Sequence, residues 1–298
     1  EAGAVVKRRY FGRELVLYRG ESGRPFVLAA HCPHLGAHLG VGGKVEGDTL
    51  RCPFHGWRFS GEGECVEVPY ASRRPVNART FAYPVRDGGG VVWAWYHPLA
   101  APPAFEPPEI PEWGAEDWTS SWTHYEWTIR THPQEVAENS VDWPHFHHIH
   151  HMEPPPDRAV RFEGHEIRWH AATTKNVSTL DGAADSIRVV GRNPGLGCSY
   201  VRYSGMGDSV IVMGMTPIDD ETMHMRFGVI GKKNGRSDAE MAAFQKAYAD
   251  DMALAVEQDF PIWENKAYHS APRLCDGDGP VPDFRRWASQ FYVAEDSR

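Results

Sequence analysis

The chain has 298 residues, of which 41% are hydrophobic and 24% charged, values typical of a globular protein in water. Its formal net charge of −9 gives no basic footprint, so nucleic acid is not an expected partner. The sequence has no run of about 18 apolar residues, so we expect no membrane-spanning helix. Residues 1–9 lack the apolar core of a signal peptide, and the missing initial Met leaves open whether the natural start lies upstream.

Five cysteines form an odd and sparse set for a chain of this length, which does not indicate a disulfide framework. We therefore expect a reducing, cytoplasmic setting. The sixteen histidines are more informative, because many of them cluster and histidines often cluster where metals or protons are handled. The cysteines are Cys32, Cys52, Cys65, Cys198 and Cys275.

The first hundred residues contain short β-branched and aromatic runs separated by glycine-rich turns, a pattern that predicts β-strands. The runs lie at residues 15–18, 25–28, 81–85 and 91–95. Residues 98–111 are rich in proline, which disfavours both helix and central strand, and we interpret them as a linker. The sequence therefore predicts two domains, at residues 1–105 and 106–298.

The second domain is predicted to begin with a strand over residues 118–130. A helix over residues 131–151 should follow, with an interruption near Pro144 because proline breaks the hydrogen-bond ladder. Residues 160–230 then form a second β-rich region, in which polar and apolar residues alternate.

A long helix is predicted to start at Ser237, because Ser237 and Glu240 have the spacing of a capping box. We expect this helix to run to about Lys266. Its apolar residues recur at three- and four-residue steps, which predicts one buried face. They are Met241, Phe244, Tyr248 and Met252.

Two segments of the first domain each combine a cysteine with a histidine, as Cys32-x-His34 and Cys52-x-x-His55. Two thiolates and two imidazoles can hold a structural zinc ion. The same set holds a Rieske [2Fe–2S] cluster, in which two cysteines bind one iron and two histidines the other. We favour the cluster, because two facing loops of mixed composition can give each iron one ligand from each side. Glycines in both segments would also let the backbone approach the inorganic sulfides.

A second group of potential ligands lies at residues 138–152, where five histidines occupy seven consecutive positions. One interpretation is a surface cluster with adventitious affinity for metals. The other is an Fe(II) site of two histidines and one carboxylate, which leaves coordination positions free for O₂. Asp142 and His145 would share one side of a helical turn, and Pro144 can unwind that turn and direct ligands inward.

The carboxylate of such a site must come from elsewhere in the chain, and our candidate is Asp259. It lies among apolar neighbours near the end of an otherwise amphipathic helix. A solvated helix face would explain it equally well. On spacing alone, Asp250, Asp251 and Glu257 remain equal alternatives.

Taken together, the two groups of motifs resemble those of the Rieske non-haem iron oxygenases, and the likeness covers nearly the whole chain. Residues 258–263 and 284–292 resemble the C-terminal segments of the steroid branch of that family. This branch includes the oxygenase component of 3-ketosteroid 9α-hydroxylase and the cholesterol 7-desaturases. The motifs that carry the resemblance are Cys32-x-His34, Cys52-x-x-His55 and Asp142-x-x-His145-x₄-His150.

The resemblance implies that His145, His150 and Asp259 are iron ligands. It also implies that Asp142 links a cluster histidine of one subunit to an iron-ligating histidine of the next. A carboxylate bonded to an imidazole fixes the orientation and basicity of the ring, which supports that role. Asn139 is expected to line the iron pocket. Three histidines do not match ligand positions and are expected to be pocket or surface residues, namely His147, His148 and His151.

The implied fold is α+β, with an N-terminal β-rich Rieske domain and a C-terminal helix-grip (START-like) catalytic domain whose antiparallel sheet curves around a long helix. The implied protein is a homotrimeric terminal oxygenase, a monooxygenase with one [2Fe–2S] cluster and one mononuclear Fe(II) per chain. No G-x-G-x-x-G fingerprint precedes a helix here. A separate NAD(P)H-dependent reductase or ferredoxin is therefore expected to supply electrons.

Two other classes of protein explain part of the sequence. A Rieske electron-transfer protein would explain only the Cys32-x-His34 and Cys52-x-x-His55 motifs. A structural zinc protein would explain the same four residues as zinc ligands.

The substrate of an oxygenase is expected to be hydrophobic. The resemblance favours a steroid or sterol, and an aromatic acid, alkaloid or other natural product is the alternative. Hydroxylation, dealkylation and desaturation share their iron chemistry, so the sequence does not distinguish them. Candidate cavity residues are Trp169, Val177, Tyr200, Met213 and Met215.

Overall fold

A computed structural model describes residues 1–174, 186–205 and 207–293. The chain divides into two units, Glu1–Ala104 and Phe105–Arg298. Among the helices that these ranges contain, none is long and apolar enough to cross a membrane.

The first unit is a β-structure of short strands that form two four-stranded sheets and a hairpin. The sheet orders are β1-β2-β3-β8 and β4-β5-β6-β7, and β9 pairs with β10. The strands are β1 Val5–Tyr10, β2 Arg13–Arg19, β3 Pro25–Ala29, β4 Lys44–Glu46, β5 Thr49–Arg51, β6 Arg58–Phe59, β7 Cys65–Glu67, β8 Ala82–Tyr83, β9 Val85–Gly88 and β10 Val91–Ala94.

The predicted strands of this unit are confirmed, with one refinement. The run at residues 81–85 divides into β8 and β9 at Pro84, because proline has no amide hydrogen to donate to a ladder. Side chains from both larger sheets, including Leu28, Leu50 and Phe59, form one core. Cys32 and Cys52 belong to the same core, so the loops that carry them are anchored in the close-packed interior of the unit.

The second unit contains a seven-stranded antiparallel sheet of order β11-β17-β16-β15-β14-β13-β12. Its strands are β11 Thr123–Ile129, β12 Asp157–Glu163, β13 Glu166–Thr174, β14 Ser186–Pro194, β15 Cys198–Ser204, β16 Ser209–Pro217 and β17 Met223–Gly231. Its helices are α1 Pro133–Glu138, α2 His145–Ile149, α3 Asp238–Glu257, α4 Phe260–Trp263 and α5 Val281–Ala288. The predicted α+β class, with a large antiparallel sheet in the C-terminal unit, is confirmed.

The long helix α3 packs on one face of this sheet. The predicted capping box is confirmed, since the Ser237 side chain accepts from the Glu240 amide and the Glu240 side chain accepts from the Ser237 amide. A buried row at four-residue steps faces the sheet and consists of Met241, Gln245, Ala249 and Ala253. The two alanines let the helix approach the strands closely, and the Gln245 amide lies 3.0 Å from the backbone carbonyls of Ser121 and Val229.

The prediction that this helix reaches Lys266 is wrong, because α3 ends at Glu257. Within a continuous helix, the ring of Pro261 would clash with the carbonyl of Glu257 and would leave it without a donor. The chain therefore turns at Gln258 and Asp259, and Pro261 lies in the first turn of α4. This break removes Asp259 from the solvated face of a regular helix.

Two further boundaries differ from the prediction. The first strand starts at Thr123 rather than residue 118, because the chain bends at Ser120 and Ser121 after an isolated bridge of Trp118 with Lys232. The break between α1 and α2 covers residues 139–144 and not only the neighbourhood of Pro144. Successive amides at 139–141 bond to carbonyls three residues back, which tightens and ends α1.

Candidate metal sites

The loops after Cys32 and Cys52 have the same backbone hydrogen bonds. Each cysteine amide donates to the carbonyl five residues later, at 2.9 and 2.8 Å, and the glycine amides of Gly36 and Gly56 donate to the cysteine carbonyls at 3.0 and 3.2 Å. Both glycines have positive φ, of 76° and 71°, which a residue with a Cβ adopts at a cost. The sequence therefore folds into two equivalent loops, each with one cysteine and one histidine.

These loops bring the four predicted cluster ligands together in pairs. The thiols of Cys32 and Cys52 are buried, at 3% and 2% exposure. Burial first, and then the nearby Cys52, raise the pKa of Cys32 to about 11. The rings of His34 and His55 lie edge to face, with centroids 4.7 Å apart. Two buried thiols and a pair of half-buried imidazoles form a donor set that fits a Rieske cluster.

Two buried histidine ring atoms at the Cys32 loop have no hydrogen-bond partner among the described residues, the Nδ1 of the candidate ligand His34 and the Nε2 of His38. An unpaired buried nitrogen is costly, and a metal ion beside His34 would satisfy its Nδ1. One face of the His34 ring stacks on the Trp57 ring, with centroids 4.6 Å apart and an angle of 8° between the ring planes. The donor set, its pairing and the unpaired His34 nitrogen all fit a [2Fe–2S] cluster.

The second site lies where α2 meets the end of α3. His145, His150 and Asp259 each bring one potential ligand atom within 4.8 Å of the others. The His150 Nε2 lies 3.6 Å from the Asp259 Oδ2, and both side chains are 10% exposed. The two rings are perpendicular, with centroids 5.2 Å apart. Two imidazoles and one carboxylate on one side of a metal position form a facial triad, which suits Fe(II) and leaves positions free for other ligands.

The second nitrogen of each imidazole has an acceptor. The Nδ1 of His145 donates to the backbone carbonyl of Asp142, whose carboxylate lies 3.9 Å away. The Nδ1 of His150 donates to the side-chain oxygen of Gln258, at 3.0 Å. A neutral imidazole carries one ring proton, so a donating Nδ1 leaves the Nε2 lone pair for a metal.

Asp259 lies in an environment that a cation would compensate. Burial raises the pKa of Asp259 above its ordinary value of 3.8, and the two histidines act in the opposite direction. The Asn139 amide donates to the Asp259 Oδ2 at 3.2 Å. Asn139 therefore contacts the candidate ligand Asp259. Asp142 lies beside His145 instead, and its side chain is 45% exposed.

The remaining candidates of the sequence analysis lie apart from this group. Asp250 is an exposed partner of Lys246, and the Glu257 carboxylate accepts from the indole of Trp127. Asp251 is exposed on the outer side of α3. The three other histidines of the cluster, His147, His148 and His151, are exposed as well.

Sequence reasoning missed the residues that hold these elements in place. Glu138 at the end of α1 is buried and accepts two bonds from the Arg285 guanidinium, at 2.8 and 3.0 Å. Glu135, one turn earlier, pairs with Lys266 at 2.5 Å. Gln258 was overlooked because an exposed glutamine at a helix end has no signature of its own. Two glutamates three residues apart in a predicted helix are the sequence signal that could have indicated the ion pairs, because a carboxylate that becomes buried needs a partner.

A layer of large apolar side chains lies between the sheet and α3. They belong to one core cluster, in which some side chains are buried and others are partly exposed. Of the predicted cavity residues, Trp169 and Met213 belong to this layer, and Val177 lies outside the described residues. Met215 is instead fully packed in another cluster. Tyr200 is a core residue, because it is buried and its hydroxyl bonds to the carboxylate of Glu112.

Comparison with known proteins gives two matching family models. The Rieske [2Fe-2S] domain matches residues 1–84, and the 3-Ketosteroid 9alpha-hydroxylase C-terminal domain matches residues 94–292. A probable 3-ketosteroid-9-alpha-monooxygenase, oxygenase component, of Rhodococcus rhodochrous is 34% identical, with 97% of this chain and 76% of the relative covered. Cholesterol 7-desaturase nvd of Xenopus laevis is 31% identical, with 97% and 68% covered.

Among solved structures, dicamba monooxygenase bound to dicamba superposes with a TM-score of 0.74 at 20% identity, covering 99% of this chain and 94% of that one. This likeness shows a shared fold. A domain for a Rieske cluster and a domain with a two-histidine, one-carboxylate site define the class of Rieske non-haem iron oxygenases.

The chain belongs to the family of 3-ketosteroid 9α-hydroxylase oxygenase components. It is therefore an oxygenase component rather than an electron carrier or a zinc protein. The cofactors of this class are a [2Fe–2S] cluster and a mononuclear non-haem iron, and the component name implies a separate reductase.

Proposed function

We propose that this chain oxidises a steroid or sterol, by hydroxylation or desaturation, with O₂ and electrons from a separate NAD(P)H-dependent reductase. The observation that carries the proposal is the His145, His150 and Asp259 group beside an apolar layer. The names of the relatives, a ketosteroid monooxygenase and a cholesterol desaturase, support the substrate class.

In this proposal residues 1–105 form the cluster domain and residues 106–298 the catalytic domain. Cys32, His34, Cys52 and His55 hold the cluster, and His145, His150 and Asp259 hold Fe(II). The bound metals supply single electrons and the activation of O₂. The chain itself orients the two imidazoles through their Nδ1 acceptors and holds the Asp259 carboxylate through Asn139.

We assign Asp142 the role of a bridge between the two metal centres of neighbouring subunits. Its carboxylate is half-exposed and lies 3.9 Å from the His145 Nδ1, so one oxygen is available to an imidazole outside the chain. Asp142→Asn should leave the iron content unchanged and slow single turnover at least tenfold. An unchanged single-turnover rate in this variant would contradict the bridge.

We further propose a homotrimer: such a bridge needs a neighbouring copy, and the resemblance to the oxygenase family implies three. Leu35 and Phe54, which lie beside the cluster histidines, are 65% and 61% exposed, and such apolar residues suit an interface. Sedimentation should give about three times the chain mass of 33.5 kDa. A monomer with full turnover would contradict this assembly. The five free cysteines suit a cytoplasmic setting.

The proposed function is tested with purified protein, a surrogate reductase, NADH and a panel of ketosteroids and sterols. Aromatic acids and alkaloids in the same panel test the alternative substrate class. We expect O₂-dependent products from the steroids alone and about three irons per chain. Turnover confined to the aromatic compounds would overturn the steroid assignment, and two irons per chain would overturn the catalytic site.

A further inference from the structure

Gln258 lies between the last turn of α3 and the candidate ligand Asp259. Its side-chain oxygen is 3.0 Å from the His150 Nδ1, across 108 residues of chain. The other nitrogen of that ring, Nε2, faces the Asp259 Oδ2 at 3.6 Å. The imidazole is therefore held between two consecutive residues of one turn, with one contact at each ring nitrogen.

We propose that Gln258 is a positioning residue that fixes His150 as an Nε2 ligand of the mononuclear metal. The inference rests on the proposed function, because it assumes that the triad holds iron. An amide oxygen can only accept, so it keeps the ring proton on Nδ1 and leaves the lone pair on Nε2. It also sets the plane of the ring, which has few other polar contacts at 10% exposure.

The two imidazoles differ in how their orientation is secured. His145 donates to a backbone carbonyl three residues earlier in the same turn, an acceptor that no substitution removes. His150 relies on a side chain from a distant element. Because Gln258 and Asp259 are adjacent, the turn that supplies the third ligand also orients the second one. Loss of the Gln258 oxygen should therefore affect metal binding without unfolding the site.

The test compares Gln258→Leu, which keeps the side-chain size but has no acceptor, with Gln258→Glu, which retains one. Protein freed of mononuclear iron by a chelator is titrated anaerobically with ferrous iron. The bound fraction is read from the EPR signal of the Fe(II)–nitric oxide adduct, a readout independent of turnover. We expect Gln258→Leu to bind iron 10- to 100-fold more weakly and Gln258→Glu to stay within a few-fold of the parent.

Gln245→Leu, on α3, provides a control at a second glutamine. Its buried amide donates to the carbonyls of Ser121 and Val229 and to the Thr123 hydroxyl, and to no candidate ligand. This variant should lower the melting temperature while its iron affinity stays unchanged. Gln258→Leu should show the reverse pattern, since the exposed Gln258 contributes little to folding.

Three outcomes separate this inference from the function on which it rests. Parent-like affinity in Gln258→Leu, with iron bound by the parent, overturns the positioning role alone. Equal loss in the Leu and Glu variants also overturns it, because a general disturbance of the turn would then be the cause. A parent protein that binds no mononuclear iron overturns the proposed function itself.

Discussion

The two candidate metal sites of this chain are built in different ways. The cluster loops each contain their ligands within four residues, closed by the same two backbone hydrogen bonds. The triad combines a turn at residues 145–150 with Asp259, more than one hundred residues later. The first site depends on local backbone geometry, whereas the second depends on how α1, α3 and α5 pack. Substitutions far from the triad should therefore weaken metal binding there more than substitutions equally far from the cluster weaken cluster binding.

The largest effect is expected from His150→Ala. Removing one of three ligands should abolish mononuclear iron binding and turnover, because the remaining His145 and Asp259 form an incomplete triad. The cluster should be unaffected, since its loops share no residue with this turn. Iron analysis should fall from about three to about two per chain, with an unchanged visible spectrum. His148→Ala, an exposed neighbour, is the control, and loss of cluster colour in His150→Ala would contradict the independence of the two sites.

Arg285→Leu tests how much the buried ion pair at the end of α1 stabilises the catalytic unit. It leaves the buried carboxylate of Glu138 unpaired, and breaking a buried pair costs about 3–5 kcal/mol. Urea unfolding, monitored by tryptophan fluorescence, should show this loss as a transition at lower urea. The cluster absorbance should disappear at the same urea concentration as in the parent.

Arg286→Leu is the control for Arg285→Leu, because Arg286 is 77% exposed and its pair with Asp283 is worth about 0–1 kcal/mol. If cluster bleaching and the fluorescence transition shift together in Arg285→Leu, the two units are not independent. An equal loss of unfolding free energy in the two arginine variants would show that the buried pair contributes no more than the exposed one.

Pro261→Ala tests the helix break that delivers Asp259. Alanine has an amide that can bond to the Glu257 carbonyl, so α3 could continue and carry Asp259 away from the histidines. We expect about tenfold weaker binding of ferrous iron, equivalent to about 1.4 kcal/mol, with little change in the melting temperature. Pro282→Ala, at the start of α5, is the matched control because α5 carries no candidate ligand. Unchanged affinity in Pro261→Ala would show that other contacts define the turn.

The difference between the sites also explains what the sequence could predict. The two cluster loops were predictable because each motif is complete within a short segment, and the assignment of their four residues as cluster ligands stays a prediction. The fold class was predictable because strand alternation and the Ser237 capping box are local patterns. The end of α3 was predicted nine residues too late, at Lys266 rather than Glu257, because the apolar spacing outweighed Pro261.

The third ligand illustrates a limit of sequence spacing. Asp250, Asp251, Glu257 and Asp259 were equivalent on spacing; the family resemblance favoured Asp259, and the tertiary packing places this carboxylate beside His145 and His150. Asp259 is buried beside two imidazoles, whereas Asp250 pairs with Lys246 at the surface. Gln258 had no signal in the sequence, because its role depends on a ring that lies 108 residues away. Its assignment as a positioning residue remains a prediction.

The smallest effect is expected for Glu166→Gln, which probes long-range charge pairing on β13 and β14. Glu166 is 5% exposed and accepts from Arg168 and Arg192, at 2.7 and 2.6 Å. Burial alone would raise its pKa, but the two arginines outweigh burial and lower it below the ordinary value of 4.5. The stabilisation is then fully present above pH 4.5 and is lost as the pH falls through the lowered pKa of the folded state.

Glu166→Gln should therefore reduce the unfolding free energy of the catalytic unit by about 1–2 kcal/mol at pH 7. The difference from the parent should shrink below pH 4.5, because the carboxylate of the unfolded parent is protonated first and that of the folded parent only at lower pH. Urea unfolding at pH 7 and at successively lower pH measures both values, with the half-exposed Glu163→Gln as control. A difference that is constant across this range would mean that shape, and not charge, explains the contribution of Glu166.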